Sequence, residues 1–449
     1  MVYDRVVAGR LVTPGGILED GWLAIAGEAI AAVGQGPRPE ALATAEFGRA
    51  YVLPGAIDGQ THAGSQTGFP GLGPTSRAAV RGGVTTIVDM PYDEPSPITD
   101  GAILSEKIAG VHRYAVSDVA LYGTVTTSPD PRHIDELIAG GVCAFKISAF
   151  ESHPTRFPRI DNGLTRWLLE KLAGTGLPLG LHNEDQEIVR ATIQRFIAEG
   201  RTDAVEHSAS RPEVAELAAT ATFLELARGL DAHAHIVHIS TPDGFDLVGR
   251  EAAAGIHATA EMCLHYLHFD GDTDMRRLGG LLKVNPPIRP GRREALWQVL
   301  EAGGATFVSS DHSAWPLSRK ADPNIFNVAA GMPGLEVLLP AFVTDAAARR
   351  SLDGAVQWAA KLLGEAPARF FGLSRKGRLA PGMDADFAVL DPTPFAYSSS
   401  ANPDGPGWSA YDGETYAVTP IASFVRGRLA WDGATIVAEP GSGRFVPRG

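Results

Sequence analysis

Cysteine is nearly absent, with only Cys143 and Cys263 in 449 residues, each inside an apolar stretch. That excludes a disulfide scaffold and reads as two buried free thiols in a reducing compartment. Basic charge is also in deficit, 39 Lys and Arg against 52 Asp and Glu, for a formal charge of -13. No basic stripe can offset phosphate repulsion, so nucleic acid is excluded as a partner, whereas a small anionic substrate is not. No uninterrupted apolar run reaches the roughly 18 residues a membrane span requires. The opening MVYDRVVAGRLVTPGG has no basic segment leading into an apolar one, so no signal peptide is expected and the location reads as cytoplasmic. Internal repeats and low-complexity tracts are missing. So is a GxGxxG after the first β run, which counts against an open, doubly wound dinucleotide fold.

What remains is an ordinary globular composition, 44% hydrophobic and 20% charged. Residues 1–53 alternate in short apolar runs with Gly turns (YDRVVAGRLV, GWLAIAGEAIAAVG), and the far end repeats that texture (DADFAVLD, AVTPIASFVRGRLAWDGATIV). Such runs predict strands, and together they predict one small β-sandwich built from both termini, residues 1–53 and 377–449.

Residues 54–376 have a different texture. Eight short β-branched runs recur: LPGAID (53–58), VTTIVDMP (84–91), VALYGTV (119–125), VCAFKIS (142–148), LPLGLHNE (177–184), AHIVHIS (234–240), HATAEMC (257–263) and ATFVSSDHS (305–313). Amphipathic helices such as 213–230 and 292–304 lie between several of them. Eight strands alternating with helices predict an α/β fold of the (β/α)8, or TIM-barrel, type, whose catalytic groups stand at the C-terminal strand ends.

Those ends carry His62 after strand 1, Lys146 in strand 4, His182 after strand 5, His238 after strand 6 and Asp311 after strand 8. A lone histidine at a strand end is usually structural. A lysine between Phe145 and Ile147 in a central strand must be neutralised, paired or modified, since burying an ammonium is costly. Five such residues at one end of one barrel form a set. By contrast, His265 and His268 lie past the end of strand 7 and read as structural. His312 should point away from Asp311, His235 should face the side opposite His238, and Arg289 reads as a structural ion-pair former.

The strings LPGAIDGQTHAG, RGGVTTIVDMP, AFKISAF, GLHNEDQEI, VHISTPDG, VNPPIR, SSDHS and KGRLAPGMDADFAVLD, in this order, resemble the cyclic amidohydrolases of the amidohydrolase superfamily. That group contains dihydroorotase, hydantoinase and, most similar, allantoinase. The resemblance covers nearly the whole chain. It implies a metal-dependent hydrolase that opens a cyclic amide or ureide ring by attack of metal-bound hydroxide. Lys146 would be carboxylated and bridge two divalent ions, Zn²⁺ first with Mn²⁺ or Co²⁺ as substitutes. His182 and His238 would complete one site, and His62 with Asp311 the other. Asp311 would serve as general base and then general acid. The partner would be a small cyclic amide or ureide, and the protein a homo-oligomer, dimer or tetramer.

The sequence departs from that pattern at Gln60, where the family motif has the first histidine of His-x-His. An amide is a poor transition-metal ligand. Three readings follow: Gln60 ligates weakly, the enzyme runs on one metal, or the protein is a non-catalytic paralogue kept as a structural subunit. Gly64 stands where dihydroorotases carry a substrate-pairing arginine, and Tyr92 where they carry an asparagine. Glu151 stands where dihydropyrimidinases and hydantoinases place a tyrosine. Asn285 replaces the serine of an allantoinase-like Ser-Pro-Pro and is a candidate substrate contact.

Overall fold

In the computed structural model, which describes residues 2–449, the chain from Ala56 onward winds eight parallel strands into a barrel. Seven lie side by side: Ala56–Thr61, Val84–Asp89, Asp118–Gly123, Ala144–Ser148, Pro178–His182, His233–Ile236 and Ala258–Ala260. The seventh continues as Met262–Cys263, which pairs with the eighth, Val308–Ser309. The ring closes where His62 N–H donates to His312 O (2.8 Å) and His312 N–H to Gln60 O (3.3 Å).

Two strands differ from the sequence expectation. The first begins three residues later than 53, because Leu53 and Pro54 end the long terminal-sheet strand Ala41–Pro54. The eighth keeps only two ladder residues of the expected 305–313. Beyond Ser309 the Ser310 N–H is taken by the Asp58 carboxylate (2.7 Å), and Asp311 adopts φ 49°, outside extended backbone.

The strands are apolar along most of their length because both faces are buried. Inside the barrel, Ile57, Val88, Met90, Ala120, Tyr122, Ala144 and Phe307 pack on Phe370 and Phe371. Gly59 is required there, since a Cβ would collide with the Phe307 ring. The helices Gly101–Tyr114, Pro131–Ala139, Asn162–Leu172, Gln186–Ala198 and Pro242–Ala253 each start on a capping side chain. Asp100, Asp130, Asp161, Asp185 and Thr241 accept the first free N–H groups. The loops above the strands are therefore ended at set positions.

Both ends of the chain meet in one seven-stranded sheet. Its order is Arg428–Trp431, Thr419–Val425, Phe387–Asp391, Ala41–Pro54, Tyr3–Thr13, Gly16–Ala26 and Ala29–Gln35. Register shifts bend it over a core of its own made from Val7, Leu11, Leu23, Ile25, Val52, Phe387, Val389 and Phe424. In place of the expected sandwich the two ends thus form one seven-stranded sheet. Part of the C-terminal stretch leaves it, and Trp408, Ala410, Tyr411 and Tyr416 join the main barrel core.

The sheet and the barrel are joined by a buried ionic knot. Lys376 Nζ lies 2.5 Å from Asp118 and from Asp386 and 3.0 Å from Asp384, and Arg426 also pairs with Asp118. Three carboxylates converge as they would on a metal, but the ammonium already supplies the cation. Both cysteines are buried and unpaired. Among the described residues no helix is long and apolar enough to cross a membrane.

Candidate active site

At the C-terminal mouth of the barrel, His182 and His238 meet with Nδ1 and Nε2 3.0 Å apart. On its other side His182 Nε2 faces the Glu184 carboxylate at 2.9 Å, and Arg211 Nε donates to the same carboxylate (2.9 Å). A carboxylate accepts only, so His182 carries its proton on Nε2 and turns the Nδ1 lone pair toward His238. Burial lowers the pKa of both rings and keeps them neutral, as metal ligation requires. Burial would raise Glu184, but Arg211 and His182 outweigh it and hold the carboxyl below its ordinary value.

Lys146 is fully buried, and burial pushes its pKa down, with Asp311 and Glu261 opposing. Among the described residues it makes no ion pair. Below it, Glu261 accepts from Ser309 Oγ (3.1 Å) and lies 3.4 Å from His235 Nε2. Burial pushes Glu261 up to about 8, partly offset by Lys146.

Across the mouth, Asp311 Oδ1 accepts from Gln60 Nε2 (2.8 Å) and stands 3.4 Å from His62 Nε2. Ser65 Oγ lies 3.2 Å from His62 Nδ1. Burial alone would raise Asp311, but His62, His238 and Lys146 hold it well below the usual carboxylate range. His238 and Asp311 both have positive φ, 39° and 49°. For residues with a Cβ this is sparsely populated backbone, of the kind that clusters at functional sites.

The structure therefore brings together His62, Lys146, His182, His238, Asp311 and Gln60. Asn285 stands apart in these contacts, its amide oxygen buried without a donor. His312 turns away from the barrel axis, as expected, its Nδ1 accepting from Gly334 N–H (3.1 Å). His235 does not face the side opposite His238. It stacks on Phe307 inside the barrel (5.8 Å), and His238 turns to the same side because the strand ends at Ile236 and the positive φ at His238 breaks the alternation. Arg289 is structural but makes hydrogen bonds, to Ser240 Oγ (3.0 Å) and to the Ser208 carbonyl (3.3 Å), rather than an ion pair.

The sequence reading missed the residues around the site. Glu184, two residues past His182, had a usable signal, since that spacing returns a side chain to the same face of an extended chain. Phe157 had none, and Tyr92 stood out only as the residue where dihydroorotases carry an asparagine, not as a wall of the site. Their rings stack at 3.7 Å across two loops, Phe157 meets His182 edge-on at 5.8 Å, and Tyr92 lies 6.4 Å from His62. Arg156 reaches over the mouth to the Ser65 carbonyl (2.8 Å) and pairs with Glu94 (3.1 Å). The loop 64–67 has no cation of its own, yet one arrives from the loop after strand 4. At Gly64 no side chain fits, because a Cβ would collide with the Asp93 carboxylate, itself 2.6 Å from Lys107.

The chain is 33% identical over 455 residues to an allantoinase from Rubrobacter xylanophilus, covering 99% of this chain and 97% of that one. It is 34% identical over 423 residues to a dihydroorotase from Halobacterium salinarum, covering 90% and 94%. Among solved structures, an L-hydantoinase (dihydropyrimidinase) from Arthrobacter aurescens superposes with a TM-score of 0.93 at 28% identity over the whole of both chains. The pattern of the amidohydrolase family matches residues 51–430. With that span matched and those strand-end groups assembled, the chain belongs to the amidohydrolase family.

Proposed function

We propose that this protein opens a small, uncharged cyclic ureide or amide by hydrolysis of a ring C–N bond, with allantoin-like and hydantoin-like rings as its substrates. The observation that carries this reading is the convergence of two neutral imidazoles, a buried lysine amine and an ionised aspartate at one end of the barrel. The likeness to an allantoinase over 99% of the chain supports it.

The donor set fits one divalent ion. Two nitrogens on a tetrahedral Zn²⁺ lie about 3.4 Å apart, close to the 3.0 Å between His182 Nδ1 and His238 Nε2. Lys146 would be the third ligand once carboxylated by CO₂, a reaction that burial favours by pushing the amine's pKa down. Zn²⁺ suits imidazole, with Mn²⁺ and Co²⁺ as substitutes. Such an ion supplies Lewis acidity, polarising the scissile carbonyl and acidifying water. Asp311, kept ionised, accepts the proton of the attacking water and returns it to the ring nitrogen as the C–N bond breaks. Tyr92 and Phe157 offer a flat wall to a planar ring and exclude water from it.

Charge sets the substrate class. A carboxylate drawn into the mouth needs a cation, and an unpaired buried charge costs several kcal/mol. Gly64 admits no side chain, and the charge of Arg156 is taken by Glu94. Ser65, Gln66 and Thr67 suit neutral N–H and C=O groups, and the unpartnered Asn285 Oδ1 suits an imide N–H. A panel of allantoin, hydantoin, dihydrouracil, dihydroorotate, succinimide and simple lactams, assayed with Zn²⁺, Mn²⁺ and Co²⁺, tests this. Ureide rings should turn over and dihydroorotate should rank near the bottom. Dihydroorotate as the best substrate overturns the charge reading, and silence of metal-loaded protein across the panel overturns catalysis.

A further inference from the structure

The mouth holds two groups of potential ligands, and they are not equivalent. His182 Nδ1 and His238 Nε2 lie 3.0 Å apart, and with the Lys146 amine they make three nitrogens at one place. His62 and Asp311 lie 3.4 Å apart, and even if they share a carboxylated Lys146 they lack a second imidazole to match the pair at His182 and His238. Gln60 stands in that place and turns its amide N–H₂ toward Asp311 Oδ1 at 2.8 Å. An amide nitrogen has no lone pair to give a metal.

The opposite amide orientation does not repair this. It would break the hydrogen bond and set two acceptor oxygens against each other at the same spacing. It would also offer a soft-to-borderline cation an oxygen where imidazole is preferred. In the orientation present the amide can offer an ion only its Oε1, buried without a donor, and an amide oxygen is a poor transition-metal ligand beside imidazole.

The geometry points to a chain that holds one tightly bound divalent ion, at His182, His238 and Lys146, with Gln60 as a positioning residue that orients the Asp311 carboxylate in place of a second metal site. This deepens the reading of the protein as a ring hydrolase. It takes the Gln60 N–H and the His62 Nε2 as the groups that set which Asp311 oxygen faces the reacting water.

The test is metal content, read independently of turnover. Protein produced with supplemental Zn²⁺ and purified without chelator should carry about one equivalent per chain by elemental analysis. Titration of the wild-type protein with a weak chelator should show a single tight class. Gln60→His should raise the content to about two equivalents. Gln60→Leu should stay at one, with kcat for the best ring substrate down about 100-fold, as for a misplaced catalytic group, and KM nearly unchanged. Two equally tight equivalents in the wild-type protein, or none, overturn the inference, and because they need no variant they decide it even if Gln60→His fails to fold. A folded Gln60→His that stays at one equivalent overturns the role given to Gln60. Failure of the ring-hydrolase reading looks different: no turnover across the panel at whatever metal content is found.

Discussion

Under the proposed function, Glu184 and Lys146 would act on the same ion from different distances. Glu184 touches no ligand site itself but fixes the proton of His182 on Nε2, and Arg211 keeps it ionised while it does so. Losing such an outer partner typically weakens metal binding 10- to 100-fold. Glu184→Gln is therefore expected to lower Zn²⁺ affinity by about that factor without abolishing it, as read by competition with a chromogenic chelator. In the proposed site Lys146→Ala would remove a ligand outright, and it should lose both metal and activity, with short carboxylic acids such as acetate or propionate restoring part of each. Full metal occupancy in the alanine variant would make the lysine merely structural.

At the scale of elements, the loops do what the strands cannot. The helix Glu213–Ala227 brings the fully buried Glu216 against the loop after strand 6, where it accepts from Ser240 Oγ (2.9 Å) and Thr241 Oγ1 (2.9 Å) just beyond His238. Burial pushes this carboxyl up to about 7, partly opposed by Arg289, Ser240 and Thr241. A raised carboxyl binds its proton more tightly folded than unfolded. Its contribution to stability is therefore complete below the ordinary value of 4.5 and is lost as pH rises through about 7. The span corresponds to stability on the order of 3 kcal/mol. Glu216→Gln should flatten the fall in Tm between those pH values, and an unchanged slope would refute the assignment. The strap of Arg156 and Phe157 belongs to this scale too. Its charge and ring come from the loop after strand 4 and meet loops after strands 1 and 2, so no single motif announces it.

At the scale of the whole molecule, the terminal sheet and the barrel share one buried ionic knot. Removing one member of a buried ionic set leaves uncompensated charge and costs about 3–5 kcal/mol. Lys376→Met should therefore lower Tm by several degrees while leaving metal content at the distant barrel mouth intact. A Tm within about a degree of wild type would show that Arg426 alone suffices. The knot also explains why three aspartates that converge like metal ligands need no metal.

The barrel was legible because strand and helix periods persist over more than 300 residues, and the cluster at the strand ends was legible because residues such as Lys146 are chemically out of place in an apolar strand. The sequence by itself determined the eight strands, the two-ended sheet and the substitution at Gln60, all of which are local patterns or residue identities. Tertiary structure alone decided which way the Gln60 amide turns, that Glu184 fixes His182, and that Gly64 has no room for a side chain. It also brought His238 round to the side that His235 faces, through a positive φ two residues after the strand ends. These outcomes depend on contacts between residues far apart in the chain and on single backbone angles, which neither periodicity nor composition encodes.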